Sequence, residues 1–458
     1  MRRMFDVLII GTGQAGPSLA ARLAANGMEV AIVERHLFGG TCVNNGCTPT
    51  KAMVASAYVA HTARRGAEYG VTSEEPRVDM LRIKARKDAI VADSRNGLET
   101  WLGGLGNVEV FRGHARFIGP DAVDVAGTEI TAGKIFVNVG GRPRIPQFPA
   151  IDTTPYLTNV SIMDLDVVPD HLIVVGGSYV GLEFAQMFRR FGSRVTIVEM
   201  GPRVLGREDE DIQLAIQDSL RAEGIELRLN ATCISLHNEE EGVAVTVRCT
   251  EGVPRETGSH ILLAVGRVPN TDDLGLDRAG IRTDGLGYIE VDECLRTSKP
   301  NVWALGDCNG KGAFTHTAYN DYEIVADNLL ANAGRKYTDR VPVYALYTDP
   351  PLGRVGMNEA DIRKHGIRAL VGKRPMARVA RAIEKGETQG FLKIYIEQGS
   401  SRILGASLLG TGCDEAVQSL VDAVYARTPH ELVQAHVRIH PTVSELLPTT
   451  MEALTPLE

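Results

Sequence analysis

Cys42 and Cys47, in the stretch FGGTCVNNGCTPTKAMVASAYVA, are the two of the seven cysteines that lie close together, and two thiols at that spacing are a candidate redox couple. In an ideal α-helix, positions five apart sit ~8.7 Å from Cα to Cα. A disulfide needs roughly 4.4–6.8 Å. A bridge therefore requires Asn44, Asn45 and Gly46 to distort the first turn, and Asn and Gly accept such backbone angles most easily. The helix is expected to run regularly from Pro49 onward, because proline suits a first helical turn. Cys47 then sits near a helix N-terminus, where the dipole lowers a thiol pKa. The alternatives are a pair of reduced buried thiols or half of a metal site. A metal site wants two further Cys or His ligands at short spacing, none is near, and no metal is expected. The other cysteines, Cys233, Cys249, Cys294, Cys308 and Cys413, are expected to be small buried hydrophobes without a redox role.

The elements around the thiols read as nucleotide-binding units. From Asp6 the chain VLIIGTGQAGPSLAARLAANGMEVAIVER reads as strand, glycine-rich turn, amphipathic helix and second strand. Gly11, Gly13 and Gly16 allow a tight turn, a close backbone approach to a pyrophosphate and a close helix–strand contact. The helix N-terminus presents unpaired N–H groups to the phosphates. Glu34 ends the second strand, where a carboxylate accepts from ribose hydroxyls. A second unit, HLIVVGGSYVGLEFAQMFRRFGSRVTIVEM, carries Gly176, Gly177 and Gly181, with Ser178 in the place of the middle glycine and Glu199 ending the strand. Gly11 to Glu34 and Gly176 to Glu199 are each 23 positions. Two such units in register imply electron traffic between two bound cofactors.

The 458 residues exceed one ordinary hydrophobic core, so two to four domains are expected. The net charge of -8 is interspersed, leaving no electrostatic footprint for nucleic acid or an anionic membrane. Phe5 to Ile10 reads as a buried first strand rather than a secretion signal, since Gly11 follows directly. No stretch reaches the ~18 apolar residues of a membrane helix. An odd cysteine count argues against a secreted disulfide framework, and a cytoplasmic location is the default expectation.

The chain resembles the class I pyridine nucleotide-disulfide oxidoreductases, the group that includes glutathione reductase, dihydrolipoamide dehydrogenase and mercuric reductase. The likeness rests on GGTCVNNGCTPTK, on GGSYVGLE, on VGRVPN at 265–270, on ALGDCNG at 304–310 and on HPTVSE at 440–445, in the family's order along the whole chain. The resemblance implies an α/β fold of two Rossmann-like dinucleotide-binding domains plus a C-terminal α+β dimerisation domain, glutathione-reductase-like. An FAD-binding domain would take 1–150 and 271–340, an NAD(P)-binding domain 151–270, and an interface domain 341–458. It further implies a homodimer that uses FAD and NAD(P)H, with NADH preferred because Glu199 would repel a 2′-phosphate.

By the same resemblance, Cys42 is the interchange thiol and Cys47 the thiol beside the flavin. Lys51 lies near flavin N5 and pairs with Glu183. Tyr179 gates the nicotinamide pocket, Asp307 holds the ribityl chain, and Thr41 and Gly266 line the cofactor sites. His440 is the acid/base, oriented by Glu445. Stretches such as MARVARAIEKGETQGFLKIY look most like the mercuric-reductase-like branch. Against a literal Hg(II) reductase, TTMEALTPLE lacks the cysteine pair that passes metal inward, and no N-terminal metal-binding domain is expected. The expected acceptor is a small-molecule or protein disulfide, or another thiophilic group. The alternatives are a dihydrolipoyl dehydrogenase and a non-enzymatic flavoprotein redox sensor.

Overall fold

The structure, a computed structural model, describes residues 1–72, 74–240, 242–248 and 254–457. The first apolar run forms a strand, Arg2–Ile10, three residues longer at its start than the apolar pattern suggests. It is the centre of a seven-stranded sheet, with parallel neighbours Val30–Glu34 and Thr128–Val137. Its side chains alternate between two cores. Val7 and Ile9 pack with Leu19, Leu23 and Ile324 on one face, and Leu8 and Ile10 with Phe117, Ile130 and Ile289 on the other. A parallel strand covered on both sides needs such an unbroken apolar run. Each Leu or Ile so buried contributes roughly 1.5–3 kcal/mol.

The second unit repeats the plan. The strands Glu226–Arg228, Arg194–Val198, His171–Val175 and His260–Leu263 form a parallel sheet in that order, and the helix Tyr179–Phe191 follows the glycine turn. The C-terminal region is built on a six-stranded antiparallel sheet that includes Phe391–Glu397 and Ile403–Leu409. The helix Gln418–Tyr425 packs with it through Leu420. This is the α/β architecture expected, with a C-terminal α+β portion. Among the described residues no helix is long and apolar enough to cross a membrane.

The backbone near the cysteine pair departs from the expected course. A short helix, Gly40–Asn45, carries Cys42, and a second, Cys47–Arg64, begins at Cys47 rather than at Pro49. The break is confined to Gly46, at φ -132° and ψ -119°, so Asn44 and Asn45 stay helical. A side chain at Gly46 would run into the Thr41 carbonyl oxygen at 2.8 Å. Concentrating the distortion in one glycine brings the two thiols together without unwinding either helix.

The expectation of five buried cysteines needs correction. Cys308 and Cys413 are buried, but Cys233 is exposed and Cys294 half-buried. Cys233 stands where the first strand of a three-stranded sheet shifts register, between Thr232 and Ser235, and Cys294 lies in a turn. Neither place has a core to fill. Cys249 lies outside the described residues.

Candidate active site

The thiols of Cys42 and Cys47 are free and hydrogen-bonded to each other, and they titrate in opposite directions. The hydrogen bond with Cys42 lowers the Cys47 thiol to about 6, with help from Thr315 and the Lys51 charge and against burial. The same bond, followed by burial, pushes the Cys42 thiol up. Both shifts favour the thiolate on Cys47 and the proton on Cys42. Cys47 is the first residue of its helix, where the macrodipole favours a thiolate. Its Sγ also lies 3.3 Å from Oγ1 of Thr315, which opens the helix Thr315–Ala331.

Lys51 stands four residues after Cys47, one turn along the same helix. Its Nζ is 2.6 Å from Oε2 of Glu183. The two helices that carry them pack through Met53, Ala57, Phe184 and Phe188, which sets the register of the ion pair. The other Glu183 oxygen accepts from the backbone N–H of Tyr347 at 3.0 Å. The Tyr347 ring lies under the ammonium, 4.6 Å from Nζ to centroid. The pair is therefore held by three elements, with Glu183 buried and Lys51 half-buried.

Both glycine turns have the same internal logic. A Cβ at Gly11 would strike the Asn138 carbonyl, and one at Gly16 the Gly11 carbonyl; Gly176 and Gly181 stand in the same relation to Ala264 and Gly176. Gly13 differs, since a Cβ there would come no closer than 3.4 Å to protein. Packing does not demand a glycine at that position, so its bareness serves whatever approaches the turn from outside. Ala15 before the helix Gly16–Ala24 supplies no side-chain cap, and Ser178 before Tyr179–Phe191 makes none. Open N–H groups over a bare turn suit a pyrophosphate. The cradle at Gly11, Gly13 and Gly16 fits FAD on that ground, and the turn at Gly176 fits a second dinucleotide, with Ser178 exposed at its mouth.

The strand-end carboxylates close each turn in matching ways. Glu34 accepts from the N–H groups of Thr12 at 3.0 Å and His36 at 2.9 Å. Glu199 accepts from those of Gly177 at 2.6 Å and Gly201 at 2.7 Å. Glu199 also lines a cavity of about 310 Å³ with Gly176, Gly177, Ser178, Val265 and Gly266. Gly266 adopts φ +103° there.

Asp307 sits in a 3₁₀ turn, Gly306–Asn309. Burial pushes its carboxyl above the usual carboxylate range, opposed by the Arg267 charge, whose Nε is 3.6 Å away. Arg267 also donates to Thr41 Oγ1 at 3.3 Å and to the Gly141 carbonyl at 2.5 Å, and so ties Thr41 to the Asp307 turn.

Tyr179 opens its helix with its hydroxyl bound to Glu208 Oε1 at 2.6 Å. His440 Nδ1 faces both oxygens of Glu445, at 3.0 and 2.9 Å, and the imidazole is 73% exposed. Among the described residues no hydrogen bond joins His440 to Cys42 or Cys47 of its own chain. The structure thus gathers Cys42, Cys47, Lys51 and Glu183, and holds His440 and Glu445 as a separate pair. Asp209, Asp211 and Glu359 form a carboxylate group elsewhere, into which Lys393 Nζ inserts, 3.1 Å from Asp209 and 3.0 Å from Glu359.

Thr315, Tyr347, Arg267 and Asn138 were not foreseen from the sequence. Arg267 lies inside VGRVPN, which pointed to it; Thr315, Tyr347 and Asn138 lie outside the motifs quoted above.

The family model described as pyridine nucleotide-disulphide oxidoreductase matches residues 5–321, and its dimerisation domain matches 343–451. A relative named probable pyridine nucleotide-disulfide oxidoreductase RclA, from Escherichia coli (strain K12), is 36% identical, covering 97% of this chain and 98% of that one. A mercuric reductase from Streptomyces lividans is 34% identical over 98% and 96% of the two chains. A solved structure, the Cu(II) complex of the HOCl-induced flavoprotein disulfide reductase RclA from Escherichia coli, superposes with a TM-score of 0.89 at 34% identity, covering 98% and 99%.

Proposed function

The chain belongs to the pyridine nucleotide-disulphide oxidoreductase family, whose members are enzymes that use FAD and NAD(P)H, and from that premise we propose that it reduces a disulfide or other thiophilic acceptor through Cys42 and Cys47. The observation that carries this reading is the setting of the pair: Cys47 begins the helix that also carries the Lys51–Glu183 ion pair, its Sγ lies 3.3 Å from Oγ1 of Thr315, and Cys42 stands on the helix just before the break at Gly46. FAD held by the turn at Gly11, Gly13 and Gly16, by Thr41 and by Asp307 would supply two-electron transfer between nicotinamide hydride and the disulfide.

This chain's residues do the rest. Cys47, held as thiolate by Cys42, Thr315, Lys51 and its helix dipole, is the member that stays ionised. Cys42 keeps the proton, so it must be deprotonated before it attacks an acceptor sulfur. His440 is the base, and its Nδ1 contact with Glu445 orients the ring. Since the chain carries the family's dimerisation domain and His440 is exposed within one chain, the base acts on the thiols of the other protomer. Lys51, fixed by Glu183, keeps a positive charge beside the thiolate.

A second reading takes a soft metal ion as acceptor. The names of the relatives favour it, one a mercuric reductase and one solved as a Cu(II) complex, and thiolates are suitable ligands for both ions. Steady-state NADH and NADPH oxidation with lipoamide, glutathione disulfide, Hg(II), Cu(II) and quinones as acceptors separates the readings. Turnover of a disulfide that is lost in Cys42→Ser supports the first, and turnover with a metal ion alone supports the second. Turnover with none of them would favour a redox sensor and overturn both.

A further inference from the structure

Glu208 is an acidic side chain with no exposed surface, lodged between the second nucleotide-binding unit and the C-terminal sheet. Its Oε1 accepts from two phenols, Tyr179 at 2.6 Å and Tyr344 at 2.8 Å. Its Oε2 lies 3.7 Å from Nε of Arg354, which is itself buried, and neither of those two atoms has a hydrogen-bond partner. A buried carboxylate is costly unless its partners are in place, so the two phenols are its main compensation. The Tyr179 ring meets Tyr344 edge-on at 5.7 Å and Phe314 edge-on at 6.4 Å. Phe314 in turn stacks on Tyr344 at 5.5 Å. Tyr179 directly follows Ser178, part of the wall of the 310 Å³ cavity.

We propose that Glu208 is a positioning residue that latches Tyr179 closed, so that the nicotinamide end of the nucleotide enters only when the Tyr179–Glu208 hydrogen bond breaks. The proposal rests on the reading of Tyr179 as the gate of that pocket. Glu208 acts through the phenol and touches no substrate. Aromatic contacts alone are a weaker hold than a hydrogen bond to a charged acceptor. Burial, reinforced by the Glu208 charge, keeps the Tyr179 phenol protonated, so the donor persists through the working pH range. A closed gate makes only a fraction of molecules competent to bind, and the apparent dissociation constant rises by the inverse of that fraction.

The test compares the binding of NAD+ with that of ADP-ribose, which has the same adenosine end and lacks nicotinamide. Both are titrated calorimetrically into oxidised, FAD-loaded enzyme. Tyr179→Phe removes one oxygen and keeps the ring. It should bind NAD+ about 10-fold more tightly, the effect of losing one charge-assisted hydrogen bond from the closed state, with ADP-ribose unchanged. Glu208→Gln keeps one uncharged acceptor and should fall between parent and Tyr179→Phe. Unchanged or weaker NAD+ binding in Tyr179→Phe would overturn the latch, as would equal tightening of both ligands, which marks general loosening. Tyr179→Ala then separates the causes. If it alone tightens NAD+, the gate stands without a latch; if it too has no effect, the gate reading falls and the latch with it.

Discussion

The Sγ of Cys47 lies 3.3 Å from Oγ1 of Thr315, so the thiol that begins one helix meets the hydroxyl that begins another. That bond is one of the causes that lower the Cys47 thiol to about 6, after the bond with Cys42. A lowered pKa means the thiolate is present above about 6 and is lost as pH falls through it. In reduced parent enzyme the thiolate absorbance should therefore fade below pH about 6. In Thr315→Val, which lacks the donor, it should fade at a pH about one unit higher. A spectroscopic pH titration checks both, and coincident curves would remove Thr315 from the site.

The assignment of roles to the two thiols predicts opposite spectra. Cys47→Ser should retain FAD yet lose the long-wavelength band on two-electron reduction, because the thiolate is gone. Cys42→Ser should show that band in the oxidised enzyme, since Cys47 has no disulfide partner. Identical spectra in the two variants would end the assignment.

His440 and Glu445 form a pair without a bond to the thiols of their own chain, which predicts a site shared across a two-fold interface. Cys42→Ser and His440→Ala homodimers should each be inactive. In a mixed dimer one site collects both defects and the other neither, so after random pairing about a quarter of all sites should work. Activity of the isolated mixed dimer at the level of the parents would place the base within one chain.

Glu199 fixes its carboxylate with bonds from Gly177 and Gly201 in the wall of the 310 Å³ cavity. A 2′-phosphate would meet that charge, so kcat/KM should favour NADH over NADPH. Arg203 lies nearby and is paired with Glu210, which spends its charge elsewhere. Equal or higher kcat/KM for NADPH would mean that Glu199 does not face the ribose.

The two glycine turns were legible because their causes are local. Gly11, Gly16, Gly176 and Gly181 are bare since a Cβ at each would strike a carbonyl of the adjoining backbone, and such requirements recur at fixed spacing. The alternation of Val7, Leu8, Ile9 and Ile10 between two cores is equally local, a consequence of strand geometry. The thiol pair was legible from spacing alone, though the reason its helix breaks at Gly46 appears only once Thr41 is packed beneath it. Cys42, Lys51 and the helix start that tune Cys47 are neighbours in sequence, but the groups that complete the setting come from far along the chain. Lys51 reaches Glu183 across 132 positions and Cys47 reaches Thr315 across 268, distances at which no periodic pattern links two residues. The same holds for Glu208, an ordinary acidic residue beside a helix start until Tyr179, Tyr344 and Arg354 close around it. Composition and spacing determine which elements form; the packing of those elements against one another decides which distant side chains meet, as Thr315 meets Cys47 and Glu183 meets Lys51.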